Sequence, residues 1–330
     1  MSKRLRKAER SSWEGGPTRT LRLKSKSNGP TAETSWVRSV IRAFQTFGSR
    51  RHVVAVLRES GDDAYNSYIQ GLGKLNSVAT LITKNRVAAT DSFVLEKIDQ
   101  AEAIFFAGGD QSVYLQEWMD TPLQKHIQAA IARGVPVGGT SAGGDVQGGF
   151  IYTAINDSVL SKEALADPFN FRVTLQERSL INHTTPTPIL VNVLVDTHFI
   201  TRDRIGRLMT FLARLWQDGH HAIGIGIDEQ TAFAIDRNGS ATLLRQAEDG
   251  GRAFILTPSQ GPETCEPKKP LEFSDVQVLK LDAAFGDKFD FVSMEGGDKS
   301  QIYKLSAKDG ELDSKTPYSP PRTESSRRAR

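Results

Sequence analysis

The stretch VPVGGTSAGG, residues 135–144, decides how the rest of the chain is read. A short apolar run follows the stop signal at Gly134 and reads as a strand over Val135–Gly138. Gly139-Thr140-Ser141-Ala142-Gly143 then fits G-x-S-x-G, with a plausible helix after it. A serine framed by glycines between a strand and a helix sits on a sharp turn that lifts its hydroxyl above a sheet. The glycines let the backbone pass close to its neighbours. The N–H groups that follow the serine then lie near a developing oxyanion. Five residues alone are also a glycine-rich turn with an incidental serine, so the surrounding chain must decide.

Working outward, the same kind of strand recurs. Val53–Leu57 and Val78–Ile82 are continuous apolar runs of the sort buried on both faces, and Ala103–Ala107 ends directly at Gly108-Gly109. Leu115–Arg133 reads as one helix, with Leu123, Ile127 and Ile131 four residues apart. Ile205, Leu208, Phe211, Leu212 and Leu215 give a later helix an apolar stripe. Ala222–Ile227, Thr231–Ile235 and Ala241–Leu244 read as strands, with a turn at Asn238-Gly239. No internal repeat is visible. Buried-type strands alternating with helices predict an α/β fold of three layers, a mainly parallel sheet flanked by helices. Ligands of such sheets sit beyond the carboxyl ends of the strands. The loops after Ala107, Gly139 and Ile227 are therefore where chemistry is sought.

The chain has 330 residues, 38% hydrophobic and 25% charged, enough for a sizeable core. No apolar run is long enough for a transmembrane helix. The single cysteine, Cys265, excludes an internal disulfide framework and a cysteine-based structural zinc site. The net charge of +3 is uneven. Residues 1–30 hold nine Lys/Arg and two Glu, +7, and residues 314–330 hold five and one, +4, which leaves −8 on residues 31–313. Residues 1–36, with only Thr20–Leu23 as a weak strand, and residues 314–330 are expected to be disordered basic tails around a catalytic domain at 37–313. No apolar stretch of a signal peptide is present, so the cytoplasm is the expected compartment.

A serine nucleophile needs a base, and the base an orienting acid. Six histidines are available. His52 begins a strand, His126 lies on a helix, His183 is in a threonine- and proline-rich loop, and His220 and His221 share a polar turn. His198 follows the apolar run Ile189–Val195 and precedes a basic helix. The acid is Asp228 or Glu229, both at the end of the strand Ala222–Ile227. Gly108-Gly109-Asp110-Gln111 adds backbone N–H groups and an amide after a strand.

Four segments, AIFFAGGDQ (103–111), VGGTSAG (137–143), DTHFITRDRIGRL (196–208) and AIGIGIDEQTA (222–232), together resemble the cyanophycinase family of serine peptidases, peptidase family S51. The resemblance spans roughly residues 50–300. It implies a flavodoxin-like fold related to class I glutamine amidotransferases, and cleavage of peptides at aspartyl residues. It implies Ser141 as nucleophile, His198 as base and Glu229, in preference to Asp228, as acid. The N–H groups of Gly109 and Ala142 would form the oxyanion hole. Gln111 would lie at the substrate pocket, with Asp196, Arg202, Arg204 and Arg207 as a polar cluster that meets substrate charge. Substrates would be cyanophycin, β-Asp-Arg peptides or Asp-X dipeptides, with no metal or organic cofactor.

The sequence departs from the family at several points. Thr197 stands where many members have a glutamine of the pocket, and Gly144 where alanine is commoner. Ser161–Thr174 lengthens the chain between Ser141 and His198, as a lid or pocket wall. Three other readings are kept. An aspartyl dipeptidase uses the same residues. An α/β-hydrolase esterase requires His220 or His221 as base, because no histidine follows Glu229. A catalytically silent binding protein requires loss of Ser141, His198 or Glu229. The expected partner is a peptide containing aspartate, not nucleic acid or membrane, and a homodimer is left open.

Overall fold

The computed structural model describes residues 53–71, 75–181, 189–245, 250–298 and 301–320. Thr20–Leu23, His52, His183 and the basic residues after 320 lie outside them.

Strands β1 (Val53–Arg58), β2 (Ser77–Ile82), β3 (Ala103–Phe106) and β4 (Val137–Gly139) form a parallel sheet in the order β2-β1-β3-β4. Val54–Leu57 and all of β3 are buried. That explains their lack of alternation, since helices cover both faces. On one face α1 (Ala64–Gln70) packs Ile69 against Val54, Val56 and Phe105. On the other, α2 (Ser92–Gln100), α3 (Gln111–Trp118) and α4 (Pro122–Ala132) bring Ile98, Trp118 and Ile127 onto Ala55, Leu57 and Phe106. The three-layer, flavodoxin-like arrangement of the sequence reading is thus present around the site-bearing strands.

The stretch Leu115–Arg133 is two helices, not one. The chain breaks at Met119-Asp120-Thr121, where Asp120 takes a φ of +58° and Thr121 is extended. Pro122 explains the break. It disfavours helical backbone at the residue before it and suits the first turn of a new helix. An apolar period of four runs across both segments and hides the corner.

Downstream come α5 (Ala142–Asp145), β5 (Ile151–Tyr152), α6 (Ser161–Ala166), β6 (Leu175–Gln176), β7 (Val193–Asp196), α7 (Ile205–Gln217) and β8 (Ile223–Ile227). β7 and β8 are parallel. β7 meets the segment just before β5 through a parallel bridge between Phe150 and Leu194, with Gly149 N donating to Leu190 O at 2.8 Å. The C-terminal half adds antiparallel strands that the sequence reading does not separate from the parallel ones. β9 (Thr231–Ile235) and β10 (Ser240–Arg245) form one hairpin. β11 (Arg252–Thr257) and β12 (Phe273–Asp282) extend the sheet beyond β8.

Residues 314–320, grouped with a tail by their charge, lie against the body. Tyr318 packs edge-on against Phe199 and Phe254. Among the described residues no helix is long and apolar enough to cross a membrane.

Candidate active site

The site forms where β3, β4, β7 and β8 end. Ser141 follows β4 with φ +50° and ψ −126°, a backbone that a serine adopts only under strain. The turn is possible because Gly143 lies against the backbone of β3. A Cβ there would overlap the carbonyl groups of Phe106 and Ala107. Gly108 faces the serine from the neighbouring strand end, and a Cβ on it would stand 3.3 Å from Ser141 Cβ. The Gly108-Gly109 turn and the serine turn therefore share one cleft. Ala142 opens α5, so its N–H is a first-turn donor without a partner inside the helix.

His198 follows β7, also with positive φ, +50°. Its Nε2 is 2.8 Å from Ser141 Oγ and its Nδ1 2.8 Å from Glu229 Oε1. A carboxylate only accepts, so Nδ1 carries the proton and Nε2 is free to accept from the serine hydroxyl. Burial pushes the imidazole below its usual 6.5. The Glu229 hydrogen bond opposes that shift, while the charges of Arg202 and Arg204 reinforce it. The ring is thus neutral near pH 7, the state in which it can take a proton. Asp228, the other acid considered, turns the opposite way. It accepts from Ile200 N at 3.1 Å, Thr201 N at 3.2 Å and Thr201 Oγ1 at 3.2 Å, and so shapes the loop after the base.

The residues expected around the substrate divide into two groups. Arg202 is exposed beside the base, and Gln111 opens α3 with Nε2 3.5 Å from Tyr152 O. Asp196 and Arg207, by contrast, are each 2% exposed. They form a two-pronged pair, Arg207 Nε to Asp196 Oδ2 at 2.8 Å and Nη2 to Oδ1 at 2.5 Å. Arg204 adds a contact to Asp196 Oδ1 at 3.2 Å and donates to Thr197 O at 2.7 Å. Burial and mutual pairing turn these three toward one another and away from solvent.

Motif reading does not find the residues that complete the setting. Asp145 on α5 accepts from Thr197 N at 3.0 Å, tying the helix after Ser141 to the peptide before His198. Burial, with the Asp196 charge adding, pushes its carboxyl up to about 7, against the opposing pull of Arg204 and Arg207. Glu59 at the end of β1 lies against Gly109 and accepts from Asp110 N at 3.3 Å. Ser161–Thr174 packs on the body. Its helix α6 buries Ala164 and Leu165 against α7, and Ser161 Oγ donates to Asp203 O and accepts from Arg207 N.

The remaining described histidines lie elsewhere. His126 pairs with Asp99 on an exposed helix. His220 packs on Phe150 and stands 3.6 Å from Glu177, and His221 packs on Trp216. Neither residue of the 220–221 pair is in the Ser141 cleft, which removes the base that an esterase reading needs.

The family model for Peptidase family S51 matches residues 55–243. A cyanophycinase of Trichormus variabilis is 26% identical over 264 residues, covering 76% of this chain and 80% of the relative. A cyanophycinase of Geminocystis herdmanii is 29% identical over 177 residues, 53% of this chain and 58% of the relative. A crystal structure of a peptidase from an acI-B1 Actinobacterium superposes with a TM-score of 0.46 at 20% identity, covering 69% of this chain and 86% of that one.

Proposed function

The chain belongs to peptidase family S51, a family of serine peptidases, and on that premise we propose that it is a cyanophycinase-like hydrolase working through Ser141, His198 and Glu229. The observation that carries this reading is the unbroken series Ser141 Oγ–His198 Nε2 and His198 Nδ1–Glu229 Oε1, both at 2.8 Å. His198 takes the Ser141 proton as the oxygen attacks the scissile carbonyl, and Glu229 stabilises the imidazolium that forms. The oxyanion develops toward the N–H groups of Gly109 and Ala142. His198 then returns the proton to the leaving amine, and water hydrolyses the acyl-enzyme through the same base. Each step uses a group in the cleft and balances its own proton.

The substrate class follows from the charges at the rim. Arg202 is an exposed cation beside the base, suited to an aspartyl carboxylate. Asp110 is exposed on the opposite turn, with Glu59 against it, suited to a guanidinium on the same substrate. That pairing favours a peptide of aspartate bearing arginine, the chemistry that the relatives' name also suggests. Thr197 stands beside the base where many members carry glutamine, so simple Asp-X dipeptides form the second reading.

Incubation with cyanophycin, β-Asp-Arg and a panel of Asp-X dipeptides, read by product mass, tests this. Release of β-Asp-Arg from cyanophycin is the expected result. Cleavage of Asp-X dipeptides alone would shift the assignment to the dipeptidase. Turnover of short esters with no aspartyl peptide cleaved would overturn it.

A further inference from the structure

The loop that carries His198 is fastened from the far end of the chain. His198 and Asp203 have φ of +50° and +49°. Non-glycine residues keep such backbone only where their surroundings determine it. Several contacts hold the near side. Asp145 accepts from Thr197 N, Arg204 donates to Thr197 O, and Asp228 accepts from Ile200 N and Thr201 N. The far side, Phe199 to Ile205, is closed by Arg204 N donating to Phe199 O at 2.9 Å and by Ser161 Oγ on Asp203 O, and Tyr318 adds contacts at both its ends.

The Tyr318 ring stands edge-on to Phe199, with centroids 5.8 Å apart at 89°, and to Phe254, 5.6 Å apart at 75°. Its hydroxyl donates toward Asp203 Oδ1 at 2.8 Å, lies 3.3 Å from Phe199 O, and accepts from Ile205 N at 3.2 Å. One oxygen therefore reaches both ends of the turn that begins directly after the base. Burial, with the Asp203 carboxylate adding, raises the phenol's pKa, so it keeps the proton that it donates. The segment is itself anchored, because Tyr303 OH donates to Pro317 O at 2.7 Å, one residue before Tyr318.

We infer that Tyr318 is a positioning residue for His198, which makes residues 314–320 part of the active-site framework. Tyr318 acts by holding the turn, not by meeting substrate. The inference rests on the reading of Ser141 and His198 as nucleophile and base. Removing only the hydroxyl keeps the ring packing but takes a partner from the Asp203 carboxylate and the Ile205 N–H. Nε2 then spends less time in line with Ser141 Oγ.

Labelling of the full-length chain by a fluorophosphonate tests this without reference to the natural substrate. Ser141 Oγ attacks phosphorus, the P–O bond forms, the P–F bond breaks, fluoride leaves with its electron pair, and the proton passes to His198. Tyr318→Phe is expected to lower the maximal labelling rate about tenfold, as a small misplacement of a reacting group does. The half-saturating probe concentration should stay at the wild-type value, and Tyr318→Ala should lower the rate further. Melting curves give the folded fraction for each variant. Maximal rates per folded molecule equal to wild type in Tyr318→Phe overturn the inference and leave the hydrolase reading standing. A wild-type chain that is not labelled at Ser141 overturns the hydrolase reading, and this inference with it.

Discussion

The protonation of His198 is set by opposing influences. Its burial and two nearby guanidiniums lower its pKa, and Glu229 pulls the other way. The acidic limb of kcat/KM should therefore lie below pH 6.5, the ordinary value for the ring. Arg202 is the exposed one of the two cations, so Arg202→Gln removes a charge that disfavours the imidazolium. The ring's pKa then rises, and the acidic limb moves to higher pH. A pH profile of the variant checks this, whatever the substitution does to the height of the curve. A limb that stays in place or moves down would contradict it. At this scale the sequence is unevenly legible. Ser141 stands at a strand end inside a short motif that marks it, whereas His198 is chosen among six histidines and Glu229 over Asp228 only through the family resemblance. Asp145 and Tyr318 act on residues 52 and 115 positions away, respectively, and no local pattern marks such partners.

At the scale of elements, α5 and β7 are joined by one buried carboxylate. Asp145 meets the Thr197 amide, and its carboxyl is raised from 3.8 to about 7, chiefly by burial. A raised acid favours the fold in its neutral form. That contribution is present below pH 3.8 and is lost as pH rises through about 7. Asp145→Asn keeps an acceptor for Thr197 N and cannot ionise. It should be more stable than wild type at about pH 8 and equal to it at about pH 4, by urea unfolding at each pH. Asp145→Ala leaves the amide without its acceptor and should cost about 1–3 kcal/mol relative to Asp145→Asn at both. Asn and wild type that unfold alike across the range would contradict the account. The element scale also shows what periodicity hides. The corner at Asp120 leaves the apolar spacing of Leu123, Ile127 and Ile131 intact, and Pro122 is the only local sign of it. β11 carries the same apolar run as a parallel strand, because burial on two faces erases alternation in either direction, whereas β12 largely alternates between buried and exposed residues.

At the scale of the whole molecule, a body of −8 at residues 31–313 lies between two basic ends. An aspartyl-arginine peptide made net cationic by amidating its carboxylates would then be drawn in over distances that salt screens. kcat/KM on such a substrate should fall severalfold as ionic strength rises from low to high, with kcat nearly constant. A salt-independent kcat/KM would show that the bulk charge plays no part in encounter. Composition foretold this asymmetry, yet not that residues 314–320 dock on the body. Charge places them in a tail, whereas the apolar ring of Tyr318 places them on Phe199 and Phe254. The architecture brings a serine from one sheet and a histidine and glutamate from the next into a single hydrogen-bonded series. The initial rate of β-Asp-Arg release from cyanophycin by the wild type, Ser141→Ala, His198→Ala and the double variant tests that series most directly. The account predicts release by the wild type, a loss of roughly a thousandfold or more in each single variant, and no further loss in the double. Ser141→Ala that releases product at the wild-type rate would contradict it.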